Sequence, residues 1–236
     1  MTTDHRIDLY APIHKALRGF MTDTLSRIGR IDVFDPADMA AAMAQFDALL
    51  ALCASHLEHE NEFVHTAIEA RQPGGAGRIA AEHVEHLEAI AALRCDARRL
   101  CDTADGHARV PLALRLYRHL ALFVAANFEH MHVEETQHNA ALWAHYTDAE
   151  LLELHGRLMA SLPPQEVLDV ARWMVPALSP AERAGMLNGV KAELPPHAFQ
   201  ALVGHLRPHL DGTAWAKLAP AIGVSHDPRF ATFGNR

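Results

Sequence analysis

His56-Leu57-Glu58-His59-Glu60-Asn61-Glu62-Phe63 is the stretch on which the reading of this chain turns. His56 and Glu60 are four apart, so in a helix they stack on one face, one turn above the other. The same face carries Leu49, Leu52 and Cys53 upstream and Phe63 downstream. A polar pair thus interrupts an apolar stripe, and burying it without partners would cost several kcal/mol. The spacing therefore predicts a helix that points an imidazole and a carboxylate inward for a reason.

Working outward, the pattern recurs. His130-Met131-His132-Val133-Glu134 places His130 and Glu134 four apart on a segment led by Phe123, Ala126 and Asn127. Between the two pairs lies Glu82-His83-Val84-Glu85-His86-Leu87, in which His83 and His86 share a helical face. Upstream, His14 sits in a stripe with Tyr10, Leu17 and Met21. The 18 histidines of the chain are far more than its length requires, and these are the ones that fall on apolar faces.

The periodicity around them is helical throughout. Helices are expected over about residues 9–28, 36–70, 79–101 and 110–145, with Leu87, Ile90, Leu93 and Leu100 on the apolar side of the third. Asp35-Pro36 opens the second with an N-cap and a proline at the first helical position. Pro73-Gly74-Gly75-Ala76-Gly77 breaks the chain before the third. Thr147-Asp148-Ala149-Glu150 and Ser179-Pro180-Ala181-Glu182 read as capping boxes that start short helices, and prolines cut the remaining C-terminal segment into pieces. The expectation is an all-α protein: an up-down-up-down four-helix bundle over residues 1–146, followed by a set of short C-terminal helices over 147–236.

Composition narrows the function classes. Half of the 236 residues are apolar, 21% are charged and only 6% are aromatic, an ordinary balance for a chain with a real core. A net charge of −8 without a basic run argues against nucleic acid as a partner. The longest apolar stretches, the one from Leu120 up to Asn127 among them, fall far short of the roughly 20 residues of a membrane span. The opening MTTDHRIDLYAPIHK lacks the order of a secretory signal. Three cysteines without CxxC spacing argue against a disulfide framework or a thiolate zinc site, and they make a cytoplasmic setting the expectation. They read as small buried hydrophobes, with Cys53, one turn from His56, the one nearest the histidines.

Imidazoles suit zinc, copper, iron and nickel, while carboxylates suit harder ions and can bridge two of them. Six or seven donors exceed what one zinc takes; they suffice for two five- or six-coordinate irons. The candidate ligands are His14, His56, Glu60, His83, His86, His130 and Glu134, with Tyr10, His59, Cys53 and Phe63 as outer or pocket residues. His132 and His138 read as outside the ligand set, and Glu58, Glu62, Glu85 and Glu135 as solvated charges.

The order His14, His56-x-x-x-Glu60, His83, His130-x-x-x-Glu134, with the strings IHKALR, HENEF and HMHVEE, resembles the hemerythrin-like (HHE cation-binding) family over about residues 8–146. The resemblance implies a four-helix bundle with an oxo- or hydroxo-bridged di-iron centre. His14, His56, His83 and His130 would be terminal ligands and Glu60 and Glu134 bridging carboxylates; zinc is a substitute metal. His83 and His86 are three apart where the oxygen carriers have four. The His130–Glu134 pair is one residue narrower than theirs and carries Glu for their Asp. The chain is therefore more similar to the prokaryotic and iron-sensing branches, and oxygen storage does not follow. The functional expectation is a protein that binds or senses a small molecule (O2, NO or peroxide) or the iron and redox state. An oxidoreductase consuming peroxide or NO is the alternative, and a zinc-filled or metal-free helical interaction protein the third reading. No catalytic residue is evident beyond the ligands, which favours binding over dedicated catalysis. The C-terminal helices are expected to offer a face to a second copy or to a protein partner.

Overall fold

A computed structural model describes residues 6–224, and every regular element among them is helical. In chain order these are α1 (Ala11–Gly29), α2 (Pro36–His59), a π-turn at Glu60–His65, α3 (Thr66–Arg71), α4 (Gly77–Asp102), α5 (Gly106–Val133), a second π-turn at Glu134–His138, and α6 (Asn139–His145). Five shorter helices follow: α7 (Asp148–Ser161), α8 (Pro164–Ala177), α9 (Pro180–Glu193), α10 (Pro196–Leu206) and α11 (Gly212–Ala221), with a 3-10 turn at Arg207–His209. The all-α expectation holds.

The boundaries have local causes. Asp8 Oδ1 accepts the backbone N–H groups of Tyr10 and Ala11 at 2.9 and 3.0 Å where α1 begins. Asp35 caps α2 by accepting from Ala37 and Asp38, with Pro36 pre-set for the first turn. At the Pro73–Gly77 break, Gly74 takes φ +83°, a region that favours glycine. The Glu69 carboxylate ties that loop down by accepting from Gly74 and Ala76. Both expected capping boxes form. Thr147 and Glu150 bond reciprocally, as do Ser179 and Glu182.

Among the described residues the chain divides into two compact units. One takes in the chain up to His14 and Phe20–Ser161; the other holds Lys15–Gly19 and the chain from Leu162 onward. In the first unit, α4 packs most extensively against α5 and also against α2, while α3 packs against α6. Its core includes Phe46, Leu49, Leu50, Leu93, Leu100, Leu116 and Leu120, all buried. At one end, Tyr10, Val64, Ile68, Leu142 and Leu151 form a smaller apolar cluster. Leu87, expected on the inner side of the third helix, is exposed. The buried stripe of α4 runs instead through Ile79, His83, His86, Ile90 and Leu93, so imidazoles stand where aliphatic side chains would normally continue.

The second unit is built on Val175, Leu187, Phe199, Val203, Leu206, Trp215 and Leu218. Within it the buried Arg183 donates to the carbonyls of Val175, Pro176 and Leu178, satisfying the end of α8. Trp215 is a packing anchor here, whereas Trp143 belongs to the first unit and donates its ring N–H to the Ile7 carbonyl at 2.8 Å.

The run Pro36–Arg71 is long and apolar enough, by length and composition, to cross a membrane. Unbroken apolar runs do not reveal this, because Asp38, Gln45, Asp47 and Ser55 interrupt the segment before His56 is reached. Within the first unit this run buries Met39, Phe46, Leu49, Leu50 and Leu57.

Phe46 is fully buried, so Phe46→Ala is expected to cost about 3–5 kcal/mol of stability. Asp35→Ala should cost about 0.5–2 kcal/mol through the lost cap. Urea denaturation followed by helical circular dichroism checks both, and equal losses in the two variants would contradict the packing described.

Candidate metal centre

The polar interior of the first unit is assembled from the same helices that form its core. His14 comes from α1, His56 from the last turn of α2, and Glu60 from the π-turn that follows. His83 comes from α4, His130 from the last turn of α5, and Glu134 from the second π-turn. His14, Glu60, His83, His130 and Glu134 are all buried, and the His56 side chain is only 13% exposed. Six residues far apart in the sequence thus meet in one place.

Their reactive atoms fall into two sets. On one side, His56 Nε2 lies 3.2 Å from Glu60 Oε1, and His14 Nε2 lies 3.7 Å from Glu60 Oε1 and 3.4 Å from Glu134 Oε2. On the other, His83 Nε2 lies 3.1 Å from His130 Nε2, 3.5 Å from Glu60 Oε2 and 3.6 Å from Glu134 Oε1. His130 Nε2 lies 3.2 Å from Glu134 Oε1. Each carboxylate therefore turns one oxygen to His14 or His56 and the other to His83 or His130. Two donors each about 2.1 Å from a shared ion stand about 3.0–3.4 Å apart at octahedral or tetrahedral angles, and most of these edges are near that range.

Hydrogen bonding gives the stronger test. His14 Nε2, His56 Nε2 and all four carboxylate oxygens of Glu60 and Glu134 are buried without a hydrogen-bond partner. Unsatisfied buried groups cost about 1–3 kcal/mol each, and charged ones more. The other ring nitrogens are well held. His14 Nδ1 sits 3.1 Å from Glu135 Oε1, His83 Nδ1 2.8 Å from Asn61 Oδ1, and His130 Nδ1 2.9 Å from Glu82 Oε2. Oxygen at Nδ1 fixes each ring with Nε2 turned toward the carboxylates, the arrangement that orients an imidazole toward a metal once any proton on Nε2 has left. The buried His/Glu group can hold a metal ion.

Charge balance points the same way. Burial opposes the His14 cation, yet the neighbouring Glu135, Glu60 and Glu134 carboxylates raise its pKa to about 9. Burial, chiefly, and nearby imidazoles push His56 down to about 3. Burial and the charge of Glu134 raise Glu60, whereas Glu134 is held low: burial works against its charge, but His130, His83 and His14 outweigh that. Two carboxylates this close resist ionising together unless cations are supplied.

The remaining expected residues occupy the surroundings. His86 is buried edge-on to His130 at 4.7 Å between ring centroids and faces Phe123 at 6.0 Å, outside the groups whose donors converge. His59 is partly exposed and pairs with Ser55 at 3.3 Å, and Phe63 is half-buried in the first π-turn. Cys53 is buried, and burial pushes its thiol up to about 12, so it stays protonated. Cys95 and Cys101 are exposed, contrary to the reading of all three as buried. Tyr10 is buried with its hydroxyl 3.0 Å from His138 Nδ1.

Three features were not anticipated. Glu135, read as a solvated charge, bonds His14, and Glu82 bonds His130. His138, read as outside the ligands, and His65, not singled out, are both buried and converge with Glu134. The missed signal is the spacing His56-x3-Glu60-x4-His65 beside His130-x3-Glu134-x3-His138. The i→i+5 bond of a π-turn widens the local repeat, so residues four or five beyond the glutamate return to the inner face.

Comparison with models of known protein families, with curated proteins and with solved structures returned no match.

Glu82→Ala should lower metal affinity about 10–100-fold by freeing His130; competition against a chromophoric chelator measures this, and an unchanged affinity would rule out the orienting role. Metal uptake at pH 7 should also release protons. His14, at about 9, and Glu60, raised by burial, hold theirs in the metal-free protein, whereas His56 is already neutral. Affinity should therefore rise with pH through neutrality and level off above about 9. Calorimetry in buffers of different ionisation enthalpy reads the proton count directly.

Proposed function

We propose that the chain is a hemerythrin-like protein whose first unit is an up-down-up-down four-helix bundle holding two irons, and that it binds or senses a small molecule such as O2, NO or peroxide. One observation carries this reading: Glu60 and Glu134 each turn one oxygen to His14 or His56 and the other to His83 or His130. Two carboxylates placed between two pairs of imidazoles suit two cations better than one, and a nitrogen-rich set with bridging oxygens suits iron. Short connections between consecutive long helices favour antiparallel neighbours, and bundle cores are a common place for such ligand sets.

His14, His56, His83 and His130 would hold the ions at their outer corners, with Glu60 and Glu134 between them. Iron bound there supplies open coordination positions and one-electron redox chemistry to a small ligand. The chain's own residues provide the rest. Glu135, Asn61 and Glu82 fix the ring orientations of His14, His83 and His130, which keeps the donors pre-set rather than mobile. Burial of the six donors limits access to ligands of a few atoms and keeps bulk water out.

Protein purified without air is expected to hold about two irons per chain, and to gain near-ultraviolet absorption when oxidised. His56→Ala and His130→Ala should each lose at least half of the metal by elemental analysis. Zinc alone, with no chromophore after reconstitution with ferrous ion, would overturn the reading. A one-to-one spectral change with NO or peroxide supports binding, whereas steady consumption with an added reductant would replace it with an oxidoreductase.

A further inference from the structure

Beside the six donors just described, a second layer of imidazoles lies where the two π-turns end. His65 closes the first π-turn and His138 the second. Both are almost fully buried, at 5% and 2% exposure. Neither ring nitrogen of His65 has a hydrogen-bond partner, and His138 Nε2 has none either. The rings meet edge-on at 5.2 Å, and His65 stacks on His83 at 4.7 Å. One donor atom from each of His65, His138 and Glu134 lies within 4.8 Å of the other two.

A histidine that merely packs in a core satisfies its nitrogens or presents them to water. Three of the four ring nitrogens of His65 and His138 do neither; the fourth, His138 Nδ1, meets the Tyr10 hydroxyl. His138 Nδ1 lies 3.0 Å from the Tyr10 hydroxyl, which can donate or accept, and this contact fixes the ring while its Nε2 is left without a partner.

We infer that His65, His138 and Glu134 form a third cation position, separate from the pair and joined to it through Glu134. Two imidazoles and one carboxylate are a donor set for a divalent first-row transition ion, with coordination positions left over for small ligands. The two unpartnered oxygens of Glu134 have lone pairs enough to serve the pair and this ion together. The inference rests on the two-ion reading only through that shared glutamate. The π-turns explain why the layer exists: they carry His65 and His138 onto the inner face already occupied by Glu60 and Glu134.

The test is anaerobic equilibrium dialysis of the full chain against ferrous ion, with elemental analysis, on the wild type and on His65→Gln and His138→Gln. The wild type should take up about three ions per chain and each variant about two, with the near-ultraviolet absorption of the oxidised pair retained. His65→Asp, which restores a donor, should return uptake to about three. Helical circular dichroism shows that the variants fold. Two ions in the wild type and in both variants would overturn the third position and leave the pair standing. Loss of the pair's absorption in the folded variants would overturn it differently, by making His65 and His138 ligands of the pair. Fewer than two ions in the wild type would overturn both readings.

Discussion

Four carboxylate oxygens in the interior of the first unit have no hydrogen-bond donor, and the Nε2 atoms of the imidazoles around them face the same space. The chain's own groups relieve that arrangement only in part. Burial and the charge of Glu134 favour a protonated Glu60, while, against burial, the imidazoles hold Glu134 low. Under the proposed reading a cation would resolve the rest, by accepting lone pairs and neutralising the acids. α1, α2, α4, α5 and the two π-turns each deliver a donor to within a few ångströms of the others.

The surrounding shell serves the same end. Glu82, Glu135 and Asn61 are polar residues near the surface that reach inward to hold imidazoles, while their other edges meet solvent. Glu82 is itself held by Arg78 at 2.9 Å. For His130, orientation is thus passed inward from Arg78 through Glu82. In the proposed metal-binding reading, energy gained on loading the centre would also be energy of folding.

Much of this was legible in the sequence. Asp35-Pro36, the Pro73–Gly77 break and the two capping boxes act within a few residues, so they place helix ends correctly. His56/Glu60 and His130/Glu134 are visible because a spacing of four puts both members on one face. What stayed hidden depends on the third dimension or on a change of helix type. Glu135 looks solvated in sequence because its contact to His14 crosses from the second π-turn to α1, and the contact of Glu82 to His130 likewise crosses from α4 to α5. Leu87 looks internal because it stands four residues after His83 and three before Ile90, but the buried stripe of α4 runs through His83, His86 and Ile90 and leaves it exposed. His65 was missed because an α-helical count places it off the face that a π-turn gives it.

A π-turn houses one residue more than the α-turn it replaces, so beyond Glu60 and Glu134 each long helix is out of step with itself by about 100°. The upstream and downstream halves obey separate apolar rhythms along a common axis: Leu49, Leu50 and Leu57 set one, and Val64 and Ile68 the other. Laid position by position against a template of uninterrupted α-helix, this chain slips by one place at both glutamates. Its ligand helices would then be judged dissimilar on their far sides even where the near sides agree.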